Sequence, residues 1–161
     1  MIRKFSWPLA VLLTITSIGQ IILAVLFFQQ AKFESLQNIG WFSLFISAIL
    51  GWLPQFTFKK HGGVAKGKSY MMTTQLVDRG IYSLVRHPQY LAGFFLAVGL
   101  VLITQHWASL VLGIMNCIQY YFSAVEEEKF LLEKFGAAYQ DYMQRVPQFN
   151  IFSGFIRHLK H

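Results

Sequence analysis

Arg86-His87-Pro88-Gln89-Tyr90 sets a guanidinium and an imidazole directly before a proline. Glu126, Glu127 and Glu128 follow about forty residues later, and Gln89 to Val125 between them holds no Asp, Glu, Lys or Arg. Proline is well suited to the first turn of a helix, where its missing N–H costs nothing. Pro88 is therefore predicted to start one. The free N–H groups and dipole at that end attract a carboxylate or phosphate, and Arg86 with a protonated His87 adds to the pull. Three adjacent carboxylates repel one another, and anionic lipid would repel them too, so they call for a positive partner. Together the two clusters can hold a zwitterion, with the cationic side chains on its carboxylate and glutamate on its ammonium. Each cluster also has a plainer reading: Arg and Tyr anchor span ends at headgroups, and a glutamate run can be a solvated patch. Tyr82, Arg86 and Tyr90 are spaced by four, so they share a face if the local chain is helical.

The elements that must position these residues are apolar spans. Phe5 to Ala31 is 27 residues without a formal charge, where a span needs roughly 20. It is too long for the apolar region of a cleaved signal peptide, so it is read as a retained first span. Leu36 to Phe58 is the second uncharged run, with Trp41 and Trp52 near its ends and Pro54 expected to kink or end its helix. Pro88 to Val125 offers 38 residues, enough for two helices that turn near Thr104-Gln105-His106-Trp107. The fold expected is all-α: a polytopic membrane protein forming a single domain over 1–161. Its four spans are placed at about 7–28, 38–58, 88–104 and 107–125. Glu126 to Arg145 continues in helical register, with Leu131, Phe135, Ala138 and Tyr142 recurring every three or four residues. It reads as an amphipathic cytosolic extension that Pro147 ends. The tail from Phe149 mixes Phe152, Phe155 and Ile156 with Arg157, His158 and Lys160 and is expected along the membrane interface.

Composition agrees with lipid as the solvent. Hydrophobic residues make up 55% of the 161 and charged ones 13%, against about 25% charged in a soluble domain; mean hydropathy is +0.44. The net charge of +7 comes from basic residues that border the spans, which fits anionic lipid and orientation better than nucleic acid. With four spans, 13 of the 14 Lys and Arg fall on one side, Lys32 alone opposite. That side is then cytoplasmic, and both termini with it, in a bacterial inner membrane or the endoplasmic reticulum. The single cysteine, Cys117, excludes an intramolecular disulfide and a multi-cysteine metal site; no metal is expected. Gly62 to Ser69 matches the spacing of a phosphate-binding loop, but such a loop needs a strand before it and a helix after it. A flexible basic loop near headgroups is the better reading.

Several motifs in order carry a resemblance: Gly80-Ile81-Tyr82, Arg86-His87-Pro88-Gln89-Tyr90, Glu127-Glu128-Lys129-Phe130-Leu131, Phe135-Gly136, Tyr139, Tyr142 and Val146-Pro147. Over about residues 76–149 the chain resembles the C-terminal half of isoprenylcysteine carboxyl methyltransferases, and it is similar to the related phospholipid N-methyltransferases. The resemblance implies a membrane-embedded methyltransferase that uses S-adenosylmethionine without a soluble nucleotide-binding domain. By that resemblance Arg86, His87 and Tyr90 line the cofactor pocket, and Glu127 and Glu128 close it from the other side; Tyr82 is added to the cofactor-binding set by its spacing from Arg86. Two positions depart from the family pattern: Ala92, followed by Gly93, stands where glycine is frequent, and Gln148 where arginine often follows the Val-Pro pair. In carboxyl methyltransferases a late arginine can serve the substrate carboxylate, and Arg145 is the nearby candidate.

Methyl transfer from a sulfonium is an in-line displacement that asks mainly for positioning and water exclusion. A carboxylate or thiolate acceptor needs no proton removed, whereas an amine must be neutral, with Glu128 or His87 as base. The acceptor is expected at the polar end of a lipophilic substrate, such as an isoprenylcysteine-like compound or a phospholipid, entering from the bilayer. Two other readings compete. Steroid 5-alpha-reductases, which use NADPH, have a similar His-Pro-x-Tyr segment, but with a glutamate shortly after that tyrosine, where this chain has Leu91-Ala92-Gly93. A non-enzymatic membrane scaffold explains the hydrophobicity but not the bracketing of one hairpin by opposite charges.

Overall fold

The computed structural model describes residues 7–61 and 75–159. The phosphate-loop-like tract Gly62 to Ser69 lies outside them. Among the described residues the chain is all-helical, with six α-helices: α1 (Trp7–Phe27), α2 (Glu34–His61), α3 (Pro88–Thr104), α4 (Trp107–Phe135), α5 (Ala137–Arg145) and α6 (Ile151–His158). Helices α1, α2 and α4 are long and apolar enough to cross a membrane. Helix α3 is apolar but has 17 residues, about 26 Å at 1.5 Å per residue. Its bounds coincide with the expected third span.

Of the two outcomes expected of Pro54, ending the helix is excluded, and one further expectation changes. Pro54 lies inside α2, which runs on to His61; spanning helices tolerate an internal proline when neighbouring groups take up the freed carbonyl. The helix that follows the glutamates is not continuous to Arg145. It breaks at Gly136, whose φ of 55° and ψ of −129° suit a residue without a Cβ.

The chain forms two compact units. The first holds Met1–Ile49 and Tyr90–Glu127. Its helices are joined by neutral polar groups buried among apolar ones. The Thr16 hydroxyl donates to Asn116 Oδ1 at 2.6 Å, and Asn116 Nδ2 donates to Gln20 Oε1 at 2.8 Å. Gln20 Nε2 in turn donates to the Ala97 carbonyl at 2.9 Å, tying α1 to both arms of the hairpin. Between α2 and α3 the backbones meet at Gly40 and Gly99, where a Cβ on either would crowd the other's carbonyl oxygen. Ser43 and Ser47 donate to the Phe95 and Ala92 carbonyls along the same seam. Small residues and interhelical hydrogen bonds are the means by which helices associate when lipid removes the hydrophobic drive. At the hairpin turn Gln105 takes a positive φ of 48°; its side chain accepts from the Lys32 and Phe33 amides and donates to the Phe33 carbonyl.

The second unit holds Leu50–Gln89 and Glu128–His161. Its core is Tyr139, Tyr142 and Val146, packed by Leu76, Leu131, Leu132, Phe135 and Met143. A 3-10 turn, Gly80–Ser83, leads into the Arg86 segment.

Candidate active site

Local structure first fixes the backbone of the Arg86 segment. Ser83 Oγ caps its own turn by donating to the Gly80 carbonyl, and the Leu84 and Val85 amides both donate to Ile81 O. Val85 is fully buried and pins the chain. The next two amides reach across the unit: Arg86 N–H donates to Pro147 O at 3.0 Å and His87 N–H to Gln148 O at 3.3 Å. Pro88 then opens α3, as its type predicts. The residues after α5 thus act as a strap that holds the two ionisable residues by their backbone.

The side chains converge on one carboxylate. Glu128, on α4, presents Oε1 to Arg86 Nη2 at 3.2 Å and to His87 Nε2 at 3.1 Å. Arg86, His87 and Glu128 keep only 10%, 3% and 12% of their side-chain surface exposed. A carboxylate only accepts, so Nε2 carries the ring hydrogen in this contact. The ring of His87 also lies 6.0 Å from that of Phe149, next in the strap. Both contacts use Glu128 Oε1, and Oε2 takes part in neither. Arg86 Nε and Nη1 are buried without a hydrogen-bond partner among the described residues. A guanidinium carries five donors, and burying a charge with most of them unpaired is costly. The cluster therefore fits a ligand with a carboxylate for Arg86 and an ammonium for Glu128. The amino-acid end of S-adenosylmethionine has both.

The other expected residues have contacts of their own. The chain is not helical between Ser83 and Pro88, so Tyr82, Arg86 and Tyr90 do not share a helix face. Tyr82 is a core residue: its ring meets Phe58 edge-on at 5.1 Å, and its carbonyl accepts the Tyr142 hydroxyl at 2.6 Å. Burial pushes the Tyr142 phenol well above the usual tyrosine range, with Tyr139 and Tyr82 adding to it and Arg86 opposing. Arg145 is half-exposed and pairs with Asp78 at 3.5 Å. Both line an open groove of about 620 Å³ with Arg79, Gly80, Ser83, Leu84 and Phe155. In the first unit, Tyr90 lies 6.5 Å from the Tyr120 ring, and Glu127 is half-buried on α4. The strap was missed from sequence because its contribution is backbone; only the Val146-Pro147 pair hinted at it. Gln148, the departure from the family pattern, serves here through its carbonyl, a role indifferent to its side chain.

Comparison with known proteins agrees with this chemistry. Curated relatives include protein-S-isoprenylcysteine O-methyltransferase of Saccharomyces cerevisiae, 39% identical over 72 residues, which are 44% of this chain and 30% of that protein. The proteins of the same name from Schizosaccharomyces pombe and Xenopus laevis are each 33% identical over 73 residues. Those matches cover 45% of this chain in both cases, and 31% and 25% of the relatives. The chain thus aligns with less than a third of the length of these relatives. No solved structure matches it. Residues 12–138 match the family described as phospholipid methyltransferase, whose members are membrane methyltransferases with S-adenosylmethionine as methyl donor. Most of the chain falls within that match, all-helical and with several spans as such a multi-pass membrane protein requires, and the chain belongs to the phospholipid methyltransferase family.

Proposed function

We propose that this chain is an S-adenosylmethionine-dependent methyltransferase. It methylates a carboxylate, thiol or amine at the polar end of a lipophilic substrate, such as an isoprenylcysteine-like compound or a phospholipid. The observation that carries this reading is the buried Arg86 guanidinium, tied by one nitrogen to Glu128 with its other donors unpaired among the described residues. Bound there, S-adenosylmethionine supplies a methyl group activated by a sulfonium. Arg86 holds the carboxylate of its amino-acid end, and Glu128 Oε2 holds the ammonium. His87 keeps Glu128 oriented through Oε1 and adds positive charge when protonated. Tyr90 and Glu127 enter on the resemblance alone. With Oε1 committed to two partners, Glu128 serves as an orienting anion; it takes a proton only where the acceptor is an amine. Arg145, in the open groove, is the candidate for an anionic end of the substrate. Basic residues in the N-terminus, the 59–86 segment and the C-terminus support a cytoplasmic side for all three.

Titration calorimetry on the purified protein in lipid nanodiscs tests the reading. S-adenosylmethionine should bind, and Arg86→Ala and Glu128→Gln should each weaken it at least tenfold. Undiminished affinity in both variants would remove the site. Binding of NADPH in place of S-adenosylmethionine would replace the activity with a reductase.

A further inference from the structure

Helix α6 presents a greasy face that no described residue covers. Phe152, Phe155, Ile156 and Leu159 are exposed to 84%, 52%, 55% and 69%. Their spacing of three, one and three places them on one side of the helix. Gly154 lies on the other side, since two residues turn an α-helix by about 200°. It is buried, and a Cβ there would overlap the Leu84 carbonyl. Asn150 caps the first turn, its Oδ1 accepting from Ser153 N–H at 2.9 Å. Arg157 Nη1 donates to the Gln144 carbonyl at 3.2 Å. This is a formed, capped helix with eight residues, too short to be stable alone, seated on Leu84 by its small side and open on its apolar side.

The contacts beneath α6 lead back to the end of a span. Leu84 follows the Gly80–Ser83 turn. Gly80 packs on Thr57 and Tyr82 on Phe58. Thr57 and Phe58 belong to the last turns of α2, just before Lys59, Lys60 and His61. Basic residues closing an apolar span mark the level of the headgroups. One layer of chain therefore separates α6 from the point where α2 leaves the hydrocarbon. In sequence, the stripe is interspersed with and followed by Arg157, His158, Lys160 and His161, the composition of a helix lying in an interface.

We propose that α6 is an interfacial anchor whose Phe152–Phe155–Ile156–Leu159 face enters the headgroup–acyl boundary of the bilayer. The strap at Pro147 and Gln148, which holds the Arg86 and His87 amides, ends where α6 begins. Lipid contact on α6 therefore braces the backbone of the Arg86 segment, whatever ligand that segment binds.

Site-directed spin labelling tests the anchor without any reference to activity. Cys117 is the only cysteine, so single labels can be placed on a Cys117→Ala background at Phe152→Cys, Phe155→Cys and, as control, Ser153→Cys. In phosphatidylcholine nanodiscs, labels at 152 and 155 should relax more with oxygen than with a water-soluble nickel chelate, and the label at 153 the reverse. Nickel access at 152 and 155 equal to that at 153 would overturn the proposal. Protection from both reagents would overturn it in favour of a protein surface, such as a second copy. For the brace, the Phe152→Glu/Phe155→Glu variant should exchange the Arg86 and His87 amide hydrogens at least tenfold faster than the wild type. Unchanged exchange would show that the strap holds without the anchor.

Discussion

Two sets of buried polar residues stabilise different things in this molecule. In the first unit the set is neutral: Thr16, Gln20 and Asn116 pass hydrogen bonds from α1 to α4 and on to the Ala97 carbonyl. Gln119 joins through Nε2 to Thr16 at 3.3 Å, with its Oε1 left unpaired among the described residues. In the second unit the set is ionic, and Arg86 and His87 share one carboxylate oxygen of Glu128. A neutral amide needs only partners, and a few such bonds join spans at modest gain. A guanidinium buried with most of its donors unpaired is a poor way to add stability. The difference is one of completeness: the neutral joint is almost fully paired, whereas the ionic set leaves Arg86 Nε and Nη1 without a partner among the described residues.

Substitutions can break this contrast. The largest effect is expected for Glu128→Ala, which strips the shared partner from Arg86 and His87. Removing one partner of a buried ion pair costs about 3–5 kcal/mol, read as a fall in the thermal unfolding midpoint in detergent together with lost S-adenosylmethionine binding. Tyr142→Phe comes next. It leaves the buried Tyr82 carbonyl without its donor, a loss of about 1–3 kcal/mol, with cofactor affinity kept within a few-fold. The same residue sets a pH dependence. Its folded pKa lies above the unfolded value of about 10, so the unfolded chain loses the proton first. Stability from this group is whole below pH 10 and falls as pH rises further; Tyr142→Phe should flatten that alkaline decline in a denaturation series. Asn116→Leu is expected to cost least, about 1 kcal/mol, with unchanged binding. If it abolished binding at constant stability, the neutral set would be part of the site and the contrast would fail.

Much of this was legible in the chain. Pro88 was readable as a helix start and Thr104 to Trp107 as the turn, because both depend on neighbouring residues and on the length of an apolar run. The pairing of Arg86 and His87 with the glutamates followed from one uncharged hairpin between opposite charges. The Thr16–Gln20–Asn116 joint was not legible. A scan for charge passes over amides, and its bonds link residues about a hundred positions apart. The shared face of Tyr82, Arg86 and Tyr90 did not form, because a spacing of four carries meaning only on a helix and Gly80–Ser83 is a separate 3-10 turn.

Residue types and spacing by themselves determined the lipid-seeking class, the hairpin and the opposite charges at its two ends, since these rest on local periodicity and on the cost of placing charge in hydrocarbon. Only the tertiary structure decided that Glu128 serves Arg86 and His87 through one oxygen, that the carbonyls of Pro147 and Gln148 hold the segment, and that Gly154 seats α6 on Leu84. Those are pairings between distant parts of the chain, made by backbone groups and by single atoms of a side chain. Every residue carries the same backbone, so its type does not announce them.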